Sequence, residues 1–149
     1  MIVFGTDGWR GIIARDFTFD NLQCVALATA QYAKKLDKDK PTVVIGYDAR
    51  FLSREFAEET ACVLASKNIL VHLTEGITST PQLSFATKQK KATLGVVITA
   101  SHNPAIYNGY KLKGNFGGPA FPEQVKELEL ELAKSLEKRP AIKFNPFDE

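Results

Sequence analysis

The sequence predicts an α/β fold built around a parallel sheet. Three short, mostly apolar runs have the length and the β-branched content of strands that are buried on both faces. Segments with apolar side chains at helical spacing separate these runs. The predicted strands are 42–47, 69–73 and 94–99, and the predicted helices that precede or connect them are 21–36, 53–68 and 80–90. Strands that alternate with helices in this way are typical of a parallel sheet with right-handed helical crossovers.

The predicted helices begin at residues with suitable backbone preferences. Ser53 is a good N-cap for the second helix, and Thr80 followed by Pro81 has the form of an N-cap with proline at the first helical position. Residues 110–113 predict a short fourth strand. Because it follows the third strand so closely, this strand should be antiparallel or peripheral. A last amphipathic helix is predicted over 122–136.

The composition is that of an ordinary globular domain. Hydrophobic residues make up 44% and charged residues 24% of the 149 residues, which predicts one folded domain over 1–149. The net charge is only +2 and the lysines are dispersed, which argues against a nucleic-acid partner. No apolar run is long enough for a membrane span or a signal peptide, so we expect a cytoplasmic protein. Cys24 and Cys62 lack metal-site spacing and are expected to be small helical core residues.

In a parallel α/β sheet, ligands bind beyond the carboxyl ends of the strands. Three loops should therefore share one edge of the sheet, which we call the rim: 48–52, 74–80 and 100–108. The first of these loops carries Asp48 and Arg50. We interpret them as an ion pair that shapes the rim, in preference to a direct contact with substrate.

The third loop and the strand after it carry the densest group of polar side chains. Six stand close together: Thr99, Ser101, His102, Asn103, Asn108 and Lys111. A turn whose side chains bond their own backbone would explain all of them except His102 and Lys111. A hydrolase nucleophile fits poorly, because Ser101 lacks the flanking glycines of a nucleophile elbow. A phosphoryl carrier needs an accessible hydroxyl, a cation and a proton shuttle, which Ser101, Lys111 and His102 could supply.

A second candidate anion site lies near the amino terminus. Gly5, Gly8 and Gly11 surround Arg10, so that backbone could approach an anion while the guanidinium grips it in bidentate fashion. A glycine-rich turn with Arg10 in solvent is the alternative. The segment does not match the dinucleotide-binding or P-loop patterns.

Together these residues resemble those of the α-D-phosphohexomutases, the phosphoglucomutase and phosphomannomutase group. The resemblance covers essentially the whole chain and rests on five segments: 5–11, 46–50, 80–81, 99–104 and 108–111. The Ser101 loop, Thr-Ala-Ser-His-Asn-Pro, is a highly specific motif. The resemblance implies a three-layer α/β/α domain with a mixed, mainly parallel four-stranded sheet, which is the first domain of the family's enzymes.

The resemblance also implies a reaction. Ser101 would be phosphorylated in the resting enzyme and would pass its phosphoryl group to a hexose phosphate. The hexose bisphosphate formed would return its other phosphoryl group, so that phosphate moves between C1 and C6. Arg10 would hold the phosphoserine region, while His102 and Lys111 would assist proton transfer and charge neutralisation. The residues that would form or shape the phosphate loop are Thr99, Asn103, Asn108, Asp48 and Arg50.

The resemblance further implies partners outside this sequence. Mg²⁺ would bind the phosphate on Ser101 together with three aspartates from a following domain. Those aspartates, the sugar-selecting loop and a final phosphate-binding domain do not occur in these 149 residues. We therefore expect the chain to be inactive without the remaining domains of its enzyme. The alternative hypothesis is a stand-alone, non-catalytic phosphate-binding or interaction domain with the same fold.

Overall fold

The computed structural model describes residues 2–5 and 8–139. In chain order its elements are β1 (Trp9–Ile12), α1 (Phe19–Leu36), β2 (Thr42–Tyr47), α2 (Ser53–Ser66), β3 (Leu70–Leu73), α3 (Thr80–Gln89), β4 (Leu94–Ile98), β5 (Tyr107–Gly114) and α4 (Pro122–Glu137). Within the described residues, no helix combines the length and the apolar character needed to cross a bilayer.

The strands form one mixed sheet in the order β1-β5-β4-β2-β3. β2 pairs in parallel with both β3 and β4, whereas β5 is antiparallel to β4 and to β1. The α/β class and the antiparallel strand after β4 are therefore confirmed, but the described sheet has five strands and not the predicted four. The sequence does not predict β1, because Trp9–Ile12 is short and contains Arg10 and Gly11. This edge strand forms because β5 provides an antiparallel partner for it.

Helices cover both faces of the sheet, as the three-layer prediction requires. Val43 and Ile45 of β2 belong to a large core cluster that includes residues of α1, α2 and α4. Val44 points to the other face, where it clusters with Leu83 of α3. Successive side chains of a strand alternate between faces, so a strand that is apolar throughout needs this cover on both sides.

Two helices begin differently from the prediction. The N-cap of α2 is Leu52, with a left-handed φ of 59°, and Ser53 is already helical. The N-cap of α3 is Ser79 instead of Thr80. The Ser79 hydroxyl accepts the Gln82 N–H at 3.3 Å, and the Gln82 side chain accepts the Ser79 N–H at 2.8 Å. This reciprocal capping box requires Gln or Glu three residues after the cap, a condition that Ser79 meets and Thr80 does not.

A buried hydrogen bond joins β5 to α1 just behind the rim. The Tyr110 hydroxyl lies 2.9 Å from Oγ1 of Thr29, and both residues are fully buried. Thr29 uses its own proton to donate to the Val25 carbonyl, so Tyr110 must be the donor in this pair. Burial raises the pKa of Tyr110, which keeps the hydroxyl protonated.

We expect Tyr110→Phe to lower the free energy of unfolding by about 1 kcal/mol, since it removes one buried hydrogen bond without creating a large cavity. Urea unfolding followed by circular dichroism measures the change. The double variant Thr29→Val/Tyr110→Phe should lose less than the sum of the two single variants, because the bond can be lost only once. Additive losses would show that the two hydroxyls do not interact.

Candidate active site

The three predicted rim loops lie at the same edge of the sheet. The second loop is joined to the end of β2 by the Thr78 N–H, which donates to the Tyr47 carbonyl at 2.8 Å. The Tyr47 hydroxyl in turn donates to the Glu75 carbonyl at 3.3 Å. The first and third loops are joined through Arg50. The parallel pairing of β2 with β3 and with β4 is what brings these loops together.

Ser101 is exposed on the third loop and has an unusual backbone conformation. Its φ is 59°, in the left-handed region, where a residue with a Cβ is strained by about 1–2 kcal/mol. Its N–H donates to Oγ1 of Thr99 at 3.0 Å, while the Thr99 N–H donates to the Gly109 carbonyl at 2.9 Å. The loop is therefore anchored to β5 two residues before the serine. The strained turn leaves Ser101 exposed at the rim.

Arg50 holds this loop in place. Its two Nη atoms donate to four backbone carbonyl oxygens at 2.7–3.1 Å: those of Ser101, Asn103, Pro104 and Tyr107. Its Nε lies 3.3 Å from Oδ2 of Asp48, so the predicted ion pair is present. We call Arg50, Asp48 and the four carbonyls the Arg50 clamp. The Nη groups are thus engaged by carbonyls of the loop, while Nε forms the ion pair with Asp48. Arg50 therefore ties the first and third rim loops together.

Two asparagines complete the loop. Asn108 is fully buried, and its Oδ1 accepts the Gly109 N–H at 2.8 Å. The Asn103 N–H donates to the Ala100 carbonyl at 3.1 Å, and the Asn103 side chain faces Arg10. Both side chains are thus hydrogen-bonded within the site.

Arg10 comes to the same loop from β1. Its Nη1 donates to Oδ1 of Asn103 at 2.6 Å, and its strand position pairs with Gly109. Among the described residues this is the one side-chain hydrogen bond of Arg10, which leaves guanidinium N–H groups to face an anion. Gly8, just before β1, has a φ of 110°, and a Cβ there would collide with the Tyr110 carbonyl. The glycine therefore allows the backbone just before β1 to approach β5 closely. Thr6 and Asp7 lie outside the described residues.

His102 and Lys111 occupy different surroundings. His102 is exposed, with Nδ1 at 3.5 Å from the Ser101 hydroxyl oxygen. Contacts of this kind are often long until a substrate binds. Lys111 lies within β5 opposite Val97 and is only 5% exposed. Cross-strand partners share a face of the sheet, so Lys111 lies on the face covered by α3. The structure thus places His102 beside the serine, whereas Lys111 stands in the strand that supports the loop.

Comparison with known proteins identifies the family. Residues 1–139 match the family model described as phosphoglucomutase/phosphomannomutase, alpha/beta/alpha domain I. The chain belongs to this family. It is 39% identical to a phosphoglucomutase of Staphylococcus saprophyticus over 155 aligned positions, covering all of this chain and 28% of that protein. It is 43% identical to a phosphoglucomutase of Staphylococcus aureus strain USA300, covering 78% of this chain and 21% of that protein.

Solved structures give the same result. The crystal structure of a putative phosphomannomutase from Thermus thermophilus matches with a TM-score of 0.83 and 43% identity, covering 88% of this chain and 30% of that one. A family protein from Burkholderia thailandensis, 23% identical, shares the fold with a TM-score of 0.76. The chain therefore spans less than a third of the length of these relatives.

The phosphohexomutase family generally implies a metal cofactor, but the described residues do not form a metal site by themselves. Among residues 2–5 and 8–139, no group of three or more His, Cys, Asp or Glu is arranged to hold a metal ion. Asp48, the acidic residue of the Arg50 clamp, pairs with Arg50 and accepts a hydrogen bond from Ser53.

Sequence reasoning does not find the role of Ser53. Its hydroxyl donates to Oδ1 of Asp48 at 2.8 Å and accepts from Nδ2 of Asn108 at 2.9 Å. A serine before an amphipathic segment is typical of a helix N-cap. The pattern therefore predicts a cap and not the contact that Ser53 makes between the two loops. The sequence feature that could have predicted the contact with Asp48 is the spacing of the two residues, because Asp48 begins the turn and Ser53 follows its end.

We expect Arg50→Lys to loosen the third loop, because an ammonium cannot reach four carbonyls and a carboxylate together. The amides of Asn103 and Tyr107, which close turns within the loop, should exchange with solvent about tenfold or more faster. Hydrogen exchange read by NMR measures this. The matched control is Arg54→Lys, since Arg54 is exposed and pairs with Glu58 one turn along its own helix. Unchanged loop exchange in Arg50→Lys would show that the clamp does not hold the loop.

Proposed function

We propose that this chain is the phosphoserine-bearing domain of a phosphoglucomutase or phosphomannomutase that moves phosphate between C1 and C6 of a hexose. The observation that carries the proposal is the exposed Ser101, which is held in a strained turn by Arg50 and lies in the loop that Arg10 contacts through Asn103. An exposed hydroxyl in a loop contacted by a cation suits a group that bears a dianion and releases it repeatedly.

In the proposed reaction, phosphorylated Ser101 transfers its phosphoryl group to a free hydroxyl of a hexose monophosphate. The bond between phosphorus and the Ser101 oxygen breaks, a bond to the sugar oxygen forms, and the sugar hydroxyl gives up its proton. His102 is the nearest side chain able to carry that proton to the serine oxygen. The bisphosphate then returns its other phosphoryl group to Ser101, and the steps run in reverse at the other carbon.

Charge on the transferred group needs stabilisation by cations. Arg10 is placed to donate to the phosphate on Ser101 while it remains bonded to Asn103. Lys111 would add positive charge from within β5. A metal ion, which we propose to be Mg²⁺ on the family pattern, would neutralise further charge on the phosphate when bound, with its protein ligands supplied from outside this chain.

The remaining parts of the site are proposed to come from partners. The match covers 28% and 21% of the two staphylococcal phosphoglucomutases, so we propose that further domains supply the metal ligands, the sugar-selecting loop and a second phosphate site. Hexose phosphate and hexose bisphosphate are the proposed small-molecule partners. A cytoplasmic location, where such metabolites occur, belongs to the same proposal.

Replacing the carrier tests the proposal directly. In the enzyme that contains this domain, Ser101→Ala should reduce turnover of glucose 1-phosphate by several orders of magnitude, and the loss should fall on kcat because the covalent carrier is gone. A coupled assay for glucose 6-phosphate measures it. Ser66→Ala, which removes a hydroxyl bonded within α2, is the control and should retain activity. Near-normal turnover in Ser101→Ala would refute the carrier role.

Removing the guanidinium of Arg10 should weaken catalysis without unfolding the domain. We expect Arg10→Ala to cost about 2–3 kcal/mol of transition-state stabilisation, the value of a charge-assisted hydrogen bond, seen as a fall in kcat/KM. The melting temperature should change little, since Arg10 lies on the edge strand of the sheet. Full activity, or a large fall in melting temperature, would favour a purely structural role for this arginine.

The 149-residue chain should fold by itself but should not isomerise sugar phosphates. Its sheet is covered by helices on both faces, so the domain has a core of its own. One domain, however, supplies only part of the charge neutralisation that phosphoryl transfer needs. Circular dichroism melting and the coupled assay with a bisphosphate activator test the two statements. A cooperative melt without turnover is expected; robust turnover or an unfolded chain would contradict it. Slow phosphorylation of Ser101 by the bisphosphate would favour the enzyme domain over a stand-alone phosphate-binding module.

A further inference from the structure

Ser53 lies where the first and third rim loops meet, and it is 1% exposed. Its hydroxyl donates to Oδ1 of Asp48 and accepts from Nδ2 of Asn108. The direction of each bond is fixed, because a carboxylate can only accept and an amide nitrogen can only donate. The hydroxyl therefore connects an acceptor on one loop with a donor on the other.

These contacts close a ring around the clamp. Asp48 accepts from Ser53 with Oδ1 and pairs with the Arg50 Nε through Oδ2. Arg50 donates to the Tyr107 carbonyl at 3.1 Å, and the next residue, Asn108, returns to Ser53. Each member of the ring fixes the orientation of the next. The Ser53 hydroxyl contacts neither the Arg50 guanidinium nor a carbonyl of the clamp, so it acts on Ser101 through its neighbours.

Ser53 is not needed to cap its helix. The N-cap of α2 is Leu52, which is in the left-handed conformation and makes no side-chain capping bond. Burial of a hydroxyl costs free energy unless the hydroxyl is hydrogen-bonded, and here both partners belong to the ring. The contacts of Ser53 thus relate to the loop and not to initiation of the helix.

We propose that Ser53 is a positioning residue for Ser101. Ser53 acts by fixing Asp48, which in turn fixes the plane of the Arg50 guanidinium. The effect of Ser53 on catalysis rests on the proposed function. Without the Ser53 hydroxyl, Asp48 loses one of the donors that orient it, and Asn108 keeps only the Phe51 carbonyl at 3.3 Å as a partner for Nδ2. The Ser101 loop then samples positions in which its four carbonyls are no longer all held.

Hydrogen exchange on the 149-residue chain tests the positioning step. Ser53→Ala should raise the exchange rates of the Asn103 and Tyr107 amides about tenfold, the effect of one buried hydrogen bond, while the amides of β2 and β4 keep their protection. Ser53→Thr, which keeps the hydroxyl, should restore slow exchange. Ser66→Ala is the matched control in the same helix and should leave the loop unchanged.

A second variant, at Asp48, tests whether Ser53 acts through Asp48, and it remains informative if Ser53→Ala does not fold. Asp48→Asn should accelerate exchange in the same loop amides, and the double variant should exchange no faster than the faster single variant, because both act through one path. Simple addition of the two effects, an unchanged loop in Asp48→Asn, or an increase spread evenly over the sheet would overturn the proposal.

The catalytic part has a separate measurement. In the enzyme that contains this domain, Ser53→Ala should lower kcat for glucose 1-phosphate about tenfold and change KM by less than about twofold, because the carrier is displaced while sugar binding is retained. Equal kcat in variant and wild type would overturn that part. If the wild-type enzyme itself fails to turn over, the proposed function fails, and the exchange comparison still decides whether Ser53 positions the loop.

Discussion

The site depends on one constraint, the contact of the Arg50 guanidinium with four loop carbonyls and the Asp48 carboxylate. Four carbonyl groups of the Ser101 loop point toward one side chain, and only a planar cation with several donors can satisfy them together. Unpaired carbonyls would repel one another and would favour a different turn. The left-handed conformation of Ser101 is therefore held by its surroundings, which include the salt bridge between Asp48 and Arg50 in the loop after β2.

The two arginines of the site differ in their contacts. Arg50 contacts four loop carbonyls and Asp48, while Arg10 has a single side-chain hydrogen bond, to Asn103, among the described residues. In the proposed function, a loop that is shaped by such contacts need not reorganise when Ser101 gains or loses phosphate. That property suits a carrier that must present the same hydroxyl in both halves of a reaction.

The sequence predicts those parts of the fold that follow from local pattern. Apolar runs give β2, β3 and β4, and their parallel order gives the rim. The sequence does not predict β1, because Trp9–Ile12 is stabilised by pairing with β5 and not by its own pattern. The Asp48 and Arg50 ion pair is predicted from its place on the first rim loop. The contact of Ser53 with Asn108 joins residues 55 positions apart, and no spacing rule reaches across that distance.

Whether Ser101 carries phosphate can be measured directly. The enzyme that contains this domain should be incubated with an isotopically labelled glucose 1,6-bisphosphate, digested, and mapped by tandem mass spectrometry. We predict that the labelled phosphoryl group is found on Ser101 and is lost when unlabelled glucose 1-phosphate is added. Label on another residue, or an unmodified Ser101 in an enzyme that is turning over, would contradict the account.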